Sequence, residues 1–249
     1  MNLIIIQARE KSTRLPKKVL LKLQDKTLLE HVYNRCKHSN ADMVVIATTE
    51  NSKKIQQLCI DKQMICFIGD EKDVLNRFTN CAEYYNADNI IRITCDNPCI
   101  DYKIINRVLK KHLKECNFFT TNAFLKAETF PDGLDVSVIT RETLFFLYQN
   151  IHNIIHREHV VSYIMENPKY FKIGILKNKY KNIKHLRLTV DNKKDLELIK
   201  ILYAHLYYKN KYFGLKEVFK FWRKYPKIFD INAEYKRDES YYKQKDKNV

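Results

Sequence analysis

With 249 residues, 45% hydrophobic and 30% charged, the chain has an ordinary soluble globular composition and enough length to bury the core of one large α/β domain. No apolar run is long enough to span a bilayer and no basic-then-apolar leader opens the sequence, so a cytoplasmic location and no membrane partner are expected. The formal charge of +16 comes mostly from lysines dispersed along the chain without a recognisable module, which favours general attraction of anions over a nucleic-acid partner.

In chain order, the apolar run over residues 3–6 predicts a first strand buried on both faces. It gives way at once to a loop carrying Arg9, Lys11, Arg14, Lys17 and Lys18, with Ser12 and Thr13 as small donors. Cations and hydroxyls at the carboxyl end of a first buried strand are where an α/β fold binds a polyphosphate. A helix over 28–36 capped by Thr27 follows, then a strand over 43–47 that ends at Thr48 and Thr49. Ser52 is the expected cap of the next helix, and residues 64–68 form a third strand.

A helix over 73–85 leads to a strand over 89–94 and to Asp96, and Asp101 caps a helix over 102–114. Residues 118–121 and 134–139 read as strands joined by an irregular connection, followed by helices over 141–149 and 157–167. The last strands are expected over 171–176 and 186–190, the latter ending at Asp191, with helices over 195–208 and 215–224. This alternation predicts an α/β fold with a mixed, mostly parallel sheet and helices on both faces, as one domain over 1–234. The tail over 235–249 is charged, has little to bury and is expected to be poorly ordered. Seven cysteines without a Cys-x-x-Cys pair predict reduced thiols and no zinc site.

Three aspartates bear on the chemistry: Asp96 and Asp191 where strands end, and Asp135 in the segment 133–136. Carboxylates repel a polyphosphate unless a cation sits between, and Mg²⁺, which takes oxygen ligands and bridges phosphates, is the expected cofactor.

The order of several blocks resembles the cytidylyltransferases that make CMP-activated acidic sugars, nearest the spore-coat polysaccharide branch and the CMP-Kdo and CMP-sialate synthetases. These blocks are Gln7-Ala8-Arg9 with Ser12-Thr13-Arg14-Leu15-Pro16 and Lys18, residues 69–78, 92–98, 130–136, Arg157-Glu158-His159-Val160 and 186–191. The resemblance implies a Rossmann-like, GT-A-like nucleotidyltransferase in which an acceptor oxygen attacks the α-phosphorus of CTP and pyrophosphate leaves. It places Arg9, Arg14 and Lys18 on the triphosphate with Gln7, Ala8, Ser12 and Thr13 nearby, Asp96 and Asp191 on Mg²⁺, and Thr48, Thr49 and Arg77 near the cytidine. Arg14, Lys18 and Asp96 would be the catalytic groups. Asp132, Asp135, Arg157, Glu158 and His159 would face an anionic small-molecule acceptor or a homodimer neighbour, in an irregular region over 122–180.

One departure stands out: Lys17 occupies the position where the family usually has glycine, which is tolerated if the backbone there is not left-handed. Two other readings compete. A nucleotide-sugar-dependent glycosyltransferase would carry an Asp-x-Asp, whereas Asp96 is followed by Asn97-Pro98. A nucleic-acid binder would use the aromatic and basic stretch over 207–225, whose apolar residues also fit the packing face of terminal helices.

Overall fold

Successive side chains of a strand point to opposite faces, so Leu3 and Ile5 face one way and Ile4 and Ile6 the other along β1 (Asn2–Gln7). All four are fully buried, each contributing about 1.5–3 kcal/mol by leaving water, and β1 is an interior strand of the sheet. The computed structural model describes residues 1–12, 14–124, 129–237, 239, 241–242 and 245. Thr13 lies outside the described residues, as do parts of the 124–135 connection and of the tail.

After β1 the chain makes a two-residue hairpin, β2 (Lys22–Leu23) with β3 (Lys26–Thr27), and enters α1 (Leu28–Lys37). Thr27 caps α1 in a reciprocal capping box with Glu30. β4 (Met43–Thr49), α2 (Lys53–Asp61), β5 (Cys66–Gly69), α3 (Val74–Tyr84), β6 (Asn89–Thr94), α4 (Tyr102–Glu115) and β7 (Phe119–Thr121) follow. The remaining elements are β8 (Ser137–Thr140), α5 (Arg141–Asn150), α6 (Ile154–His159), α7 (Ser162–Glu166), β9 (Ile173–Ile175), α8 (Lys193–Leu206) and α9 (Leu215–Lys224).

The sheet has seven strands in the order β5-β4-β1-β6-β8-β7-β9. β5, β4, β1 and β6 run parallel, β8 is antiparallel to both β6 and β7, and β9 is parallel to β7. Ile4 and Ile6 pack on one layer with α1, α2, α4, α8 and α9, while Leu3 and Ile5 pack on the other with α3, α5 and α7. The chain winds outward from β1 to β4 and β5, then returns to place β6 on the other side of β1. The carboxyl ends of β1 and β6 therefore flank the switch point at which such sheets open a binding crevice. No helix among the described residues is long and apolar enough to cross a membrane.

Three expectations need correction. The helix expected over 157–167 is broken at Val160, whose φ of 55° and ψ of −60° separate α6 from α7. Residues 186–190 are extended but join the sheet through no ladder; their backbone bonds go to Asp132 and to the Asp96 carbonyl instead. Ser52 makes no cap bond to α2, because Glu10 supplies it: its Oε1 accepts from the backbone N–H of Lys54 at 2.6 Å and of Ile55 at 3.3 Å. Among the described residues of the tail, Tyr241 is buried.

Candidate active site

The loop after β1 is held from below. Glu10 ties it to the amino end of α2, and its own N–H donates to Ser52 Oγ at 3.2 Å. At its far end Lys17 adopts φ 55°, ψ 26° and starts a single 3-10 turn over Lys18–Leu20. The backbone there is left-handed, so the condition under which Lys17 would be an innocuous replacement for glycine is not met.

That turn directs Lys18 inward. Its Nζ donates to Asp96 at 2.8 Å and to Asp191 at 2.6 Å, bridging the two carboxylates. Arg14 pairs with the same Asp191 oxygen at 3.1 Å, and Arg187 donates to the other at 2.8 Å. Burial disfavours an ammonium at Lys18, but Asp96 and Asp191 outweigh it and hold its pKa above the ordinary lysine value. Burial likewise pushes the Asp96 carboxyl up, and Lys18 more than reverses the effect. Asp96 comes from the end of β6, whereas Asp191 comes from the crossing segment, pinned by the Val190 N–H on the Asp96 carbonyl at 2.8 Å. Arg9 sits at the rim on Glu158 at 3.3 Å, and Ser12 is half-buried in the same loop.

A second group lies where β4 and β5 end. Thr48 and Thr49 pair in register with Ile68 and Gly69, and a Cβ on Gly69 would come within 2.8 Å of Arg77 Cγ. Arg77 is fully buried and donates to the Asp70 carbonyl at 2.5 Å, while its Nε and second terminal nitrogen and the Thr48 hydroxyl have no partner among the described residues. Burial, with Arg9 nearby, lowers the Arg77 pKa to about 10. Buried donors left unsatisfied are costly and mark a place where a polar ligand would be held. Gln7 and Ala8 connect the two groups: Ala8 is buried against Ala47, and Gln7 Oε1 accepts from Arg92 at 3.5 Å.

Beyond Gln7 lies a cavity of about 100 Å³ lined by Arg92, Asp135, Ser137, His159, Arg237 and Tyr241 among others. Of the residues expected to face an acceptor, the structure brings Asp135 and His159 here, Asp135 lying just ahead of β8 and not within a strand. Arg157 turns inward instead: its Nε donates to Asp73 at 2.7 Å and a terminal nitrogen to the carbonyls of Tyr148 and Ile151, a clamp between helices. Asp132 is engaged by Arg187 at 2.5 Å, and Glu158 by Arg9.

Arg187 is the residue that motif reading passed over. It reaches Asp132, Asp191 and Asp195, and its pKa is raised because these carboxylates outweigh its burial. The signal was available in a single charge inside the apolar run over 186–190. Gly133 allows the close crossing that brings Asp132 to it, with φ 93° and space in which a Cβ would lie 2.4 Å from the Leu188 backbone. Among the described residues, no group of three or more His, Cys, Asp or Glu side chains could hold a metal. The paired carboxylates of Asp96 and Asp191 nonetheless form a hard oxygen donor set converging on one cation, Lys18 Nζ, and so suit Mg²⁺ with further oxygens supplied by a phosphate.

The chain as a whole is similar to known proteins. The cytidylyltransferase family matches residues 3–245. The spore coat polysaccharide biosynthesis protein SpsF of Bacillus subtilis is 33% identical over 213 residues, 81% of this chain and 85% of its own. A 3-deoxy-manno-octulosonate cytidylyltransferase of Fusobacterium nucleatum is 27% identical over 177 residues, 71% of this chain and 59% of its own. Among solved structures, a cytidylyltransferase from Leptospira borgpetersenii superposes with a TM-score of 0.87 at 32% identity, covering 95% of this chain and 99% of that one.

Proposed function

This chain belongs to the cytidylyltransferase family, and from that premise we propose that it transfers CMP from CTP to an acidic or phosphorylated small-molecule acceptor, with release of pyrophosphate, in surface polysaccharide or glycoconjugate biosynthesis. The observation that carries the reading is the convergence of Lys18, Arg14, Asp96 and Asp191 at the carboxyl ends of β1 and β6. In the reaction an acceptor oxygen forms a bond to the α-phosphorus, the bond to the bridging oxygen breaks, and pyrophosphate carries that electron pair away. Arg9, Arg14 and Lys18 bind and orient the triphosphate and stabilise the charge that builds on it. Lys18 reaches a phosphate by giving up one of its carboxylates. Thr48, Thr49 and Arg77 form the nucleoside side, where the unsatisfied Arg77 donors suit the carbonyl and ring nitrogen of a pyrimidine.

Mg²⁺ belongs to the same proposal: Asp96 and Asp191 would hold it, and it would neutralise phosphate charge. Homodimerisation does too, supported by the exposed Phe146 on α5 and Ile154 on α6; light scattering tests it. Against the nucleic-acid reading, Tyr207, Phe213, Leu215, Val218 and Phe221 are buried and Phe219 and Trp222 pack against the core, although Tyr208 and Tyr225 are exposed.

The deciding experiment measures thermal stabilisation by each of the four ribonucleoside triphosphates with Mg²⁺ and by a short oligonucleotide, then pyrophosphate release over a panel of keto-acid sugars and polyol phosphates. CTP-selective stabilisation and release are expected, with Arg14→Ala and Asp96→Asn folded but slower by orders of magnitude. Stabilisation by the oligonucleotide only, or near wild-type release by either variant, sinks the assignment.

A further inference from the structure

Given the cytidylyl-transfer reading, on which this step rests, we infer that Arg187 is a positioning residue for the metal site. Clamped by Asp195 and Asn232, it holds one carboxylate oxygen of Asp191 and so commits the other to the point that Asp191 shares with Asp96.

The fold leaves Asp191 in need of such a hold. It ends a segment that joins no ladder of the sheet, so strand pairing does not aim its side chain. A carboxylate also turns easily about its last torsion and can offer a cation either oxygen. Here the two oxygens are divided. Arg187 Nη2 donates to Oδ2 at 2.8 Å, while Oδ1 accepts from Lys18 Nζ at 2.6 Å. The same Nζ meets Asp96 Oδ2 at 2.8 Å, so one oxygen from each aspartate converges on a single cation position. Arg187 stays outside that point, on the other oxygen.

Arg187 is itself fixed. Its side chain is buried, and each guanidinium nitrogen faces a carboxylate. Nε donates to Asp195 Oδ1 at 3.0 Å, Nη2 reaches Asp195 Oδ2 at 3.4 Å as well as Asp191, and Nη1 pairs with Asp132. Asp195 is fully buried and serves the backbone too. Its Oδ2 accepts from the N–H groups of Asp191 at 3.0 Å and Asn192 at 2.9 Å. One side chain thus sets both the main chain of Asp191 and the arginine that holds its carboxylate. Asn232 closes the cluster from the segment after α9, donating through Nδ2 to Asp195 Oδ1 at 2.8 Å and to the Arg187 carbonyl at 3.1 Å.

The chemistry of the cluster favours positioning over support alone. Desolvation offsets the attraction within a buried ion cluster, which makes it a weak source of stability. Partners that orient a ligating carboxylate, by contrast, change metal affinity by about 10–100-fold when they are altered. The task also requires an arginine. A lysine would keep the charge but, as a point donor, could not span Asp191, Asp195 and Asp132 at once.

The test separates metal binding from nucleotide binding. Electron paramagnetic resonance follows Mn²⁺ without nucleotide in Lys18→Gln, which lacks the competing ammonium, and in the same protein carrying Arg187→Lys or Asn232→Ser. Calorimetry measures metal-free CTP affinity in the wild type and in the two single variants, and urea midpoints report folding. Adding Arg187→Lys should weaken Mn²⁺ at least about tenfold and Asn232→Ser about threefold, with metal-free CTP affinity within about twofold. A purely structural role would lower the urea midpoints and leave Mn²⁺ affinity of the folded protein unchanged. Unchanged Mn²⁺ affinity with Arg187→Lys overturns the inference, as does a loss of CTP affinity as large as the loss of Mn²⁺ affinity. If Arg187→Lys does not fold, Asn232→Ser decides by the same criterion. A Lys18→Gln protein that binds no Mn²⁺ overturns the metal assignment and the inference, with CTP binding by the wild type left standing. A wild type that binds no CTP overturns the transferase reading and the inference with it.

Discussion

Lys18 brings one positive charge to two carboxylates, and Arg14 and Arg187 bring two more to Asp191. A divalent ion entering without nucleotide must displace the lysine, whereas a triphosphate offers Lys18 and Arg14 other anions to hold. Lys18→Gln is therefore expected to bind Mn²⁺ at least about tenfold more tightly than the wild type in the absence of nucleotide, as followed by electron paramagnetic resonance, because it removes the competing charge. Unchanged affinity would show that these two carboxylates are not the metal's ligands. Lys17 makes a different point. A left-handed backbone costs a side-chain-bearing residue about 1–2 kcal/mol, partly offset by the entropy of glycine in the unfolded chain. Lys17→Gly should raise the urea midpoint, by up to about 1 kcal/mol in stability, and keep CTP binding. The residue types of this loop were legible in order along the chain, but which anion each cation meets was not, since Asp96 and Asp191 lie far from it in sequence.

At the scale of elements, the helices and parallel strands followed from apolar periodicity because each buries a regular face. What failed were segments whose backbone groups bond outside a regular ladder. Residues 186–190 have the composition of a strand, yet the Leu188 N–H goes to the Asp132 carbonyl at 2.7 Å and the Val190 N–H to Asp96. Residues 157–167 have a helical pattern that a single turn at Val160 interrupts. Caps also cross between elements. Asp101 accepts from the Lys103 N–H at 2.9 Å to start α4 and from the Leu215 N–H at 3.0 Å to start α9, so one carboxylate begins two helices. Asp101→Ala should cost about 2 kcal/mol, twice an ordinary cap, in urea denaturation, with CTP affinity preserved. A loss below about 0.5 kcal/mol would show that α9 is held by its apolar face and not by this bond.

For the molecule as a whole, two buried histidines set a response to acid. Burial lowers the pKa of His31 and of His112 to about 4. The native state keeps both neutral while the unfolded chain takes up protons below about 6.5, so stability falls as pH drops from 7 toward 4. The expected loss at pH 5 is on the order of 1–2 kcal/mol per histidine. Urea midpoints at pH 7 and pH 5 check it, and His112→Gln should flatten the dependence. By itself the sequence determined the class of fold, the cation-rich loop after β1 and the aspartates that would answer it, because local apolar pattern and residue chemistry carry that information. Only the tertiary structure decided that Lys18 bridges Asp96 and Asp191, that Arg157 and Asp132 serve the framework, and that Arg237 and Tyr241 close the second cavity. Those outcomes depend on which distant charges and backbone groups come within a few ångströms of one another, and neither spacing nor composition encodes such pairings.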